Sequence, residues 1–372
     1  MKTRETPEQL YASAVELLEQ SRAEEALQKA KRLWSGIRHD NPSEALPALN
    51  LLGDISVELG DVDTARAYFE QAVTLDPDGT FPEAMGGGAE KFLWLAQLCE
   101  EGGKASVEWF ERGVKALQHE IAALESSRSP SVDAETLLMM RVEKKRKLAN
   151  ALCGIVEVYM TDLSWEDDAE ARCEMLVTEA MGVEDETSPE VLQTLASVRL
   201  SQERKDDAQA ALTRSIDSWK GLEPEDPAVP DFATRISLSR LLMEAGMEQE
   251  AMQVLQRLVT DDDQSVEAWY LGGWCQYLLA EKFKEDDPAP FELAMKGSRN
   301  WLKMALTLYA QLGYEDERLF DHAMELVAGL DRVMGPEKAK AEAGEEDEWE
   351  EWDGIEDGDE EIVDEDEEMK DS

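Results

Sequence analysis

Histidine is scarce in this chain, with only His39, His119 and His322 among 372 residues. None lies within reach by sequence of a Cys and an Asp, and neither HExxH nor GxSxG occurs, so no nucleophilic or zinc-protease constellation is present. Cysteine is also sparse. Cys99, Cys153, Cys173 and Cys275 lie far apart with no CxxC pair, which excludes a small disulfide-stapled secreted domain. They sit among apolar residues, as in Leu152-Cys153 and Trp274-Cys275, and read as reduced core residues. Long apolar runs are missing: those near 151–160 and 268–280 are far shorter than the ~20 residues of a membrane helix. The opening MKTRETPEQL has no apolar segment of the signal-peptide kind. An intracellular, soluble chain without a membrane partner is expected. Positive charge is the remaining deficit. Lys and Arg total 37 against 84 Asp and Glu, a net charge of −47. Each phosphate contact needs a cation, so nucleic acid and anionic membranes are poor partners, and a basic one is favoured.

What is present begins with a 42% hydrophobic content, enough for a sizeable core. The length suits two ordinary domains or one extended repeat array. The acidity is uneven. Residues 342–372 hold 19 Asp and Glu against one lysine, a net of −18, leaving −29 on the other 341 residues. With little apolar material beyond Trp349, Trp352, Ile355, Ile362 and Val363, this tail is expected to be disordered when unbound. Gly335-Pro336 marks the boundary, giving a folded region 1–335 and a tail 336–372.

The folded region reads as helical nearly throughout. Apolar residues recur at three- and four-residue spacing, as in Leu10, Ala14, Leu17, Leu18 and Ala26, Ala30, Leu33, Trp34. Turn clusters such as Asn41-Pro42-Ser43 and Thr187-Ser188-Pro189 separate helix pairs, several placing Ser or Thr before Pro and Glu as helix starts do. The pairs repeat. From Gly53, Ala65, Phe69, Ala72 and Pro77 follow at 12, 16, 19 and 24 residues, which resembles the tetratricopeptide pattern, with Ser56 departing from its usual aromatic. Small residues let two antiparallel helices approach, and Gly60 permits the reversal between them. Ala196, Ala208, Leu212 and Ser215 repeat the spacing, as do Ser239, Ala251, Leu255 and Leu258. A split copy joins Trp269 and Leu271-Gly272-Gly273 to Ser298, Leu302 and Ala305, and weaker copies cover 8–40, 88–120 and 147–181. An all-α, right-handed α-solenoid of about seven such pairs is expected, with a capping helix near 316–334. Insertions at 78–88, 124–134, 221–231 and 281–292 are either binding segments or drift of the array.

Candidate chemistry is thin, and neither a cofactor nor a metal is expected. Gly102-Gly103-Lys104 lacks the first glycine and the closing Ser/Thr of a phosphate loop and fits a helix turn better. The triplets Asp261-Asp262-Asp263 and Glu285-Asp286-Asp287 do not follow the calcium-loop pattern. Binding is the stronger reading. Repeat arrays hold extended peptides along their first helices, whose groove positions here are Asn50, Asp54, Glu58, Glu90, Trp94, Glu157, Tyr159, Glu244, Trp269, Tyr270, Trp274 and Tyr277. Carboxylates alternating with aromatics suit Lys- and Arg-rich ligands. For any one carboxylate a solvated helix face is the alternative, and for the aromatics near 269–277 it is inter-repeat packing. The run Lys144, Lys145, Arg146, Lys147 is either a nuclear import signal or one face of a helix start. Trp349 and Trp352 in the tail suggest docking, since tryptophan is rare in a purely solubilising segment.

Val158-Tyr159-Met160-Thr161-Asp162-Leu163 with its acidic continuation, the segment from Trp269 to Tyr277, and the tail tryptophans together give the chain a family likeness. Over essentially its whole length it resembles the fungal tetratricopeptide-repeat chaperones dedicated to large-subunit ribosomal protein four. That resemblance implies a non-enzymatic holdase working in cytoplasm and nucleus. It would bind the basic internal loop of the new ribosomal protein, protect it, and escort it to the pre-ribosome, with an import receptor as a further partner. Competition from rRNA would then release the client. Two other binding functions fit a repeat groove: a histone chaperone, or a heat-shock co-chaperone clamping a C-terminal carboxylate. The second needs basic groove residues beside Asn50, and these are missing.

Overall fold

The computed structural model describes residues 5–126, 134–184, 188–284 and 288–334. Trp349, Trp352 and the rest of the acidic tail lie outside the described residues. Among the described residues all regular structure is helical. The chain divides into two compact units between Met247 and Glu248. In the first, helices pair as α1 (Pro7–Glu19) with α2 (Ala23–Trp34), α3 (Pro42–Glu58) with α4 (Val62–Leu75), and α5 (Glu90–Gln97) with α6 (Gly103–Ser126). Helices α7 (Ala134–Met160) with α8 (Ala169–Val183) and α9 (Pro189–Ser201) with α10 (Lys205–Asp217) follow, then α11 (Phe232–Glu244). The second unit has α12 (Glu248–Asp261), α13 (Val266–Phe283) paired with α14 (Pro288–Leu312), and α15 (Glu317–Met334) at the expected capping position. The repeat spacing assigns α11 and α12 to one pair, so the division between units falls inside that repeat, which periodicity alone does not reveal.

The helix starts follow from their capping residues. Thr6 and Gln9 form a reciprocal capping box at α1, with bonds of 3.3 and 3.0 Å and Pro7 in the first turn. Asp61, Ser188, Asp231 and Ser265 each accept a backbone N–H at the starts of α4, α9, α11 and α13. Gly60 ends the α3 turn with a φ of 70°, a left-handed conformation that costs glycine little.

The recurring positions are the buried ones. Ala65, Phe69, Ala72, Ala196, Ala208, Leu212 and Ser215 are all buried, as are Ala251, Leu255, Leu258, Ser298, Leu302 and Ala305 in the second unit. The small-residue requirement has a direct geometric cause. A Cβ at Gly53 would lie 2.5 Å from the Phe69 ring, and one at Gly273 would lie 2.6 Å from Leu302. Ser56 is buried where the pattern has an aromatic, and its hydroxyl donates to the Leu52 carbonyl at 2.7 Å, so the departure leaves that hydroxyl satisfied. Gly53→Ala should lower stability by about 1–2 kcal/mol, because so close an approach draws the upper part of the about 1–3 kcal/mol cost of overpacking while helix propensity returns about 1 kcal/mol. Urea unfolding measures it. Phe69→Leu in the same background should recover part of the loss, and a G53A variant of unchanged stability would contradict this seating of the ring.

The insertions resolve differently. The 78–88 segment is a folded strap carrying a 3-10 turn at Glu83–Met85, whereas described residues of 281–292 belong mostly to the ends of α13 and α14. Cys173 and Cys275 are buried as expected of core thiols; Cys99 and Cys153 are half-buried.

Candidate functional site

The first helices of the opening repeats bring one group of side chains together. Asp54 on α3 is half-buried. Burial, reinforced by the charge of Glu90 on α5, pushes its carboxyl up to about 6, while the Trp94 indole offsets part of the rise as a hydrogen-bond donor. Trp94 is held by stacking on Phe69, with ring centroids 6.1 Å apart. Tyr11 on α1 also faces Asp54, and burial and then that carboxylate raise its phenol. Glu90 meets the Lys147 ammonium of α7 at 2.5 Å. Glu58, one turn beyond Asp54, is exposed. Two neighbouring carboxylates flanked by an indole and a phenol form a cation seat, part of which a resident lysine already uses.

Periodicity did not single out Tyr11, although a signal for it exists. Ala14, Ala26, Ala30 and Leu33 carry the 12, 16, 19 spacing, and Tyr11 precedes Ala14 by three residues as Asn50 precedes Gly53. Lys147 was legible only as part of a basic run.

Other candidates are placed elsewhere. Asn50 is spent on the strap: its amide nitrogen donates to the Gly86 carbonyl at 2.8 Å. A carboxylate clamp built on it is therefore corrected. Glu157 and Glu244 are exposed on α7 and α11, and neither is among the charges acting on Asp54. Tyr159 lies beside Lys104 and Arg172, on α6 and α8, rather than on the first-helix face. In the second unit Trp269 packs on Trp301 at 4.7 Å and donates its indole N–H to the Asp263 carbonyl. Tyr270 is buried, with its hydroxyl 2.7 Å from His322 Nδ1 of α15. Trp274 packs edge-on to the same histidine at 5.1 Å, and Tyr277 is half-buried. For Trp269 and Tyr270 the packing alternative holds: they join α13 to α14 and α15.

The basic run 144–147 is partly enclosed, with Arg146 exposed and Lys145 half-buried. The run lies within α7. Lys144 is buried, 2.8 Å from both Glu83 and Glu120, and Lys147 is half-buried against Glu90 and Glu143. Two of these four cations are thus committed to carboxylates of this chain. Among the described residues no three His, Cys, Asp or Glu side chains converge as metal ligands. Nor is any described helix long and apolar enough to cross a membrane.

Comparison with known proteins bears on this arrangement. Residues 46–78 match the tetratricopeptide repeat family model. A protein of Emericella nidulans named probable assembly chaperone of rpl4 is 48% identical over 378 residues, spanning 98% of this chain and 92% of its own. A Schizosaccharomyces pombe protein of the same name is 35% identical over 314 residues, spanning 83% and 87%. The solved structure of residues 1–338 of an assembly chaperone of RpL4, Acl4, is 50% identical and covers 76% of this chain and 99% of its own, with a TM-score of 0.69.

Proposed function

The chain belongs to the fungal family of assembly chaperones of rpl4, and on that premise we propose that it binds newly made large-subunit ribosomal protein four as a non-enzymatic holdase. One observation carries the mode of binding. The first-helix face sets Asp54 and Glu90 beside Tyr11 and Trp94, with Glu58 exposed one turn beyond Asp54, and burial together with the Glu90 charge leaves Asp54 short of a cation. A basic ribosomal protein segment, made to meet rRNA phosphates, supplies that cation. The carboxylates stand in for RNA, and rRNA at the assembly site displaces them. The segment is the client's internal basic loop, and the complex passes from cytoplasm to nucleus. The burial of Lys144 and the pairing of Lys147 support an import signal carried by the client rather than by residues 144–147. Family membership favours this reading over a histone chaperone or a heat-shock co-chaperone, and the engagement of Asn50 by Gly86 removes the residue on which the latter rested.

The test reverses charge at Asp54 and Glu58 together, each to lysine. Ion pairs near the surface contribute up to about 1 kcal/mol apiece, so losing the two should lower client affinity by up to roughly thirtyfold and flatten its salt dependence. Titration calorimetry at two ionic strengths reads both. A double variant that keeps its circular dichroism and binds the client as tightly as the parent would defeat the groove reading.

A further inference from the structure

Away from the first-helix face, the α5–α6 and α7–α8 turns lie side by side. The Gly103 N–H donates to the Asp162 carboxylate at 2.9 Å across 59 residues of sequence. Gly102 has a φ of 59°, and a Cβ there would sit 2.6 Å from the same carboxylate, so the approach requires glycine. A carboxylate thus occupies the start of α6, and the Gly102-Gly103-Lys104 segment repels phosphate. Lys104 turns outward to Glu166 at 2.5 Å.

Between these turns is a cleft of about 710 Å³. Trp165 lines it with 74% of its surface exposed. This is not a frayed side chain. Its indole N–H donates to the Asp162 carbonyl at 3.0 Å, and Leu163 is buried in the adjoining core. The indole's one donor is therefore satisfied within the turn. Among the described residues the ring makes no aromatic or cation–π contact. Leaving a tryptophan ring in water forgoes the apolar burial that so large a side chain can supply. Its surroundings define what would cover it. Glu100, Glu101, Asp162 and Glu166 line the cleft against a single ammonium, Lys104. Two of the four already hold a cation: Glu100 meets Arg66 at 3.2 Å, and Glu166 meets Lys104.

We propose that this cleft is a second docking surface, taking an arginine- or lysine-rich peptide segment whose guanidinium or ammonium stacks on the Trp165 ring while the surrounding carboxylates bind its neighbours. The choice of a client segment as that peptide rests on the holdase reading. Because the cleft lies on turns rather than on the first-helix face, it engages a different stretch of the client from the one held at Asp54. One chain then shields two basic stretches at once, and the linkage of two sites raises the overall affinity.

The test uses the full chain with Trp165→Ala, Trp165→Phe and Glu101→Lys, all surface changes checked by circular dichroism, and calorimetric titration of three probes. The first is full-length ribosomal protein four, the second its isolated internal basic loop, and the third a synthetic arginine-rich peptide. Trp165→Ala and Glu101→Lys should each weaken the full-length client about fivefold to tenfold, Trp165→Phe should restore most of that, and the loop peptide should bind all variants alike. Full-length client bound equally by the parent and both weakened variants would overturn the cleft while leaving the groove reading intact. If the parent binds no client, the holdase reading fails, and the arginine-rich peptide decides the cleft: weaker binding to W165A upholds it, and equal binding overturns it.

Discussion

Replacing Lys91 with methionine should destabilise the protein by about 3–5 kcal/mol, the usual result of removing one partner from a buried ion pair. Lys91 is fully enclosed, and its ammonium lies 2.8 Å from the Asp76 carboxylate, which is itself only 1% exposed. The same ammonium donates to the Gly88 carbonyl at 2.7 Å. The other Asp76 oxygen accepts the Thr80 and Phe81 N–H groups at 2.9 and 3.3 Å. One pair therefore ties both ends of the α4–α5 strap, and the Gly86 backbone between them packs so tightly on Pro47 that a Cβ would lie 2.5 Å from its nitrogen. Methionine fills a similar volume but leaves one carboxylate oxygen charged, buried and unpaired. Asp76→Asn added to Lys91→Met removes that charge and keeps an acceptor for the two N–H groups, so the double variant should recover roughly half of the loss. Chemical denaturation of the three variants measures the coupling, and hydrogen exchange over the strap should quicken in the single variant. A Lys91→Met protein within about 1 kcal/mol of the parent would mean that the strap is held by packing instead.

The strap also shows where sequence reading stops. Spacing exposes the repeats because each one solves the same local problem. Gly53 against Phe69 and Gly273 against Leu302 are close approaches that the chain needs once per helix pair, so the solution recurs. Nothing recurs in the 78–88 segment. Its anchors, Asp76 to Lys91 and Asn50 to Gly86, are single long-range pairings with no period, and Asn50 consequently reads as a groove residue when it is in fact holding the strap. The basic run is opaque for the same reason. Four adjacent cations look like a signal until Glu83, Glu90 and Glu120 arrive from other elements to neutralise two of them. Composition did indicate the chemistry of the site, carboxylates interleaved with aromatics. It could not indicate which of them share a neighbourhood, and Tyr11, Asp54, Glu90 and Trp94 come from three different helices.

Asp54→Asn should make the protein more stable and a poorer chaperone. Burial and the Glu90 charge hold the Asp54 carboxyl at about 6 in the folded chain, against the ordinary 3.8. The folded state thus binds the proton more tightly than the unfolded one. That contribution is complete below about pH 4, falls as pH rises towards 6, and is gone at neutral pH, where ionised Asp54 weighs against folding by about 3 kcal/mol. Asparagine mimics the protonated carboxyl at every pH. The variant should therefore exceed the parent by up to about 3 kcal/mol at pH 7.5 and match it near pH 4, as denaturant unfolding at the two pH values will show. Binding runs the other way. A client cation seated between Asp54 and Trp94 favours the ionised carboxylate, so below pH 6 binding must expel a proton. Affinity should climb by up to about tenfold per unit between pH 5 and 6 and level off above it, and Asp54→Asn should lower the plateau and erase the slope. Unchanged stability at pH 7.5, or a client affinity with the parent's pH slope, would show that Asp54 is not the group that waits for the cation. With both shifts observed, the instability of this one carboxylate becomes intelligible: the folded chain keeps a charge it would be steadier without, because the client is what neutralises it.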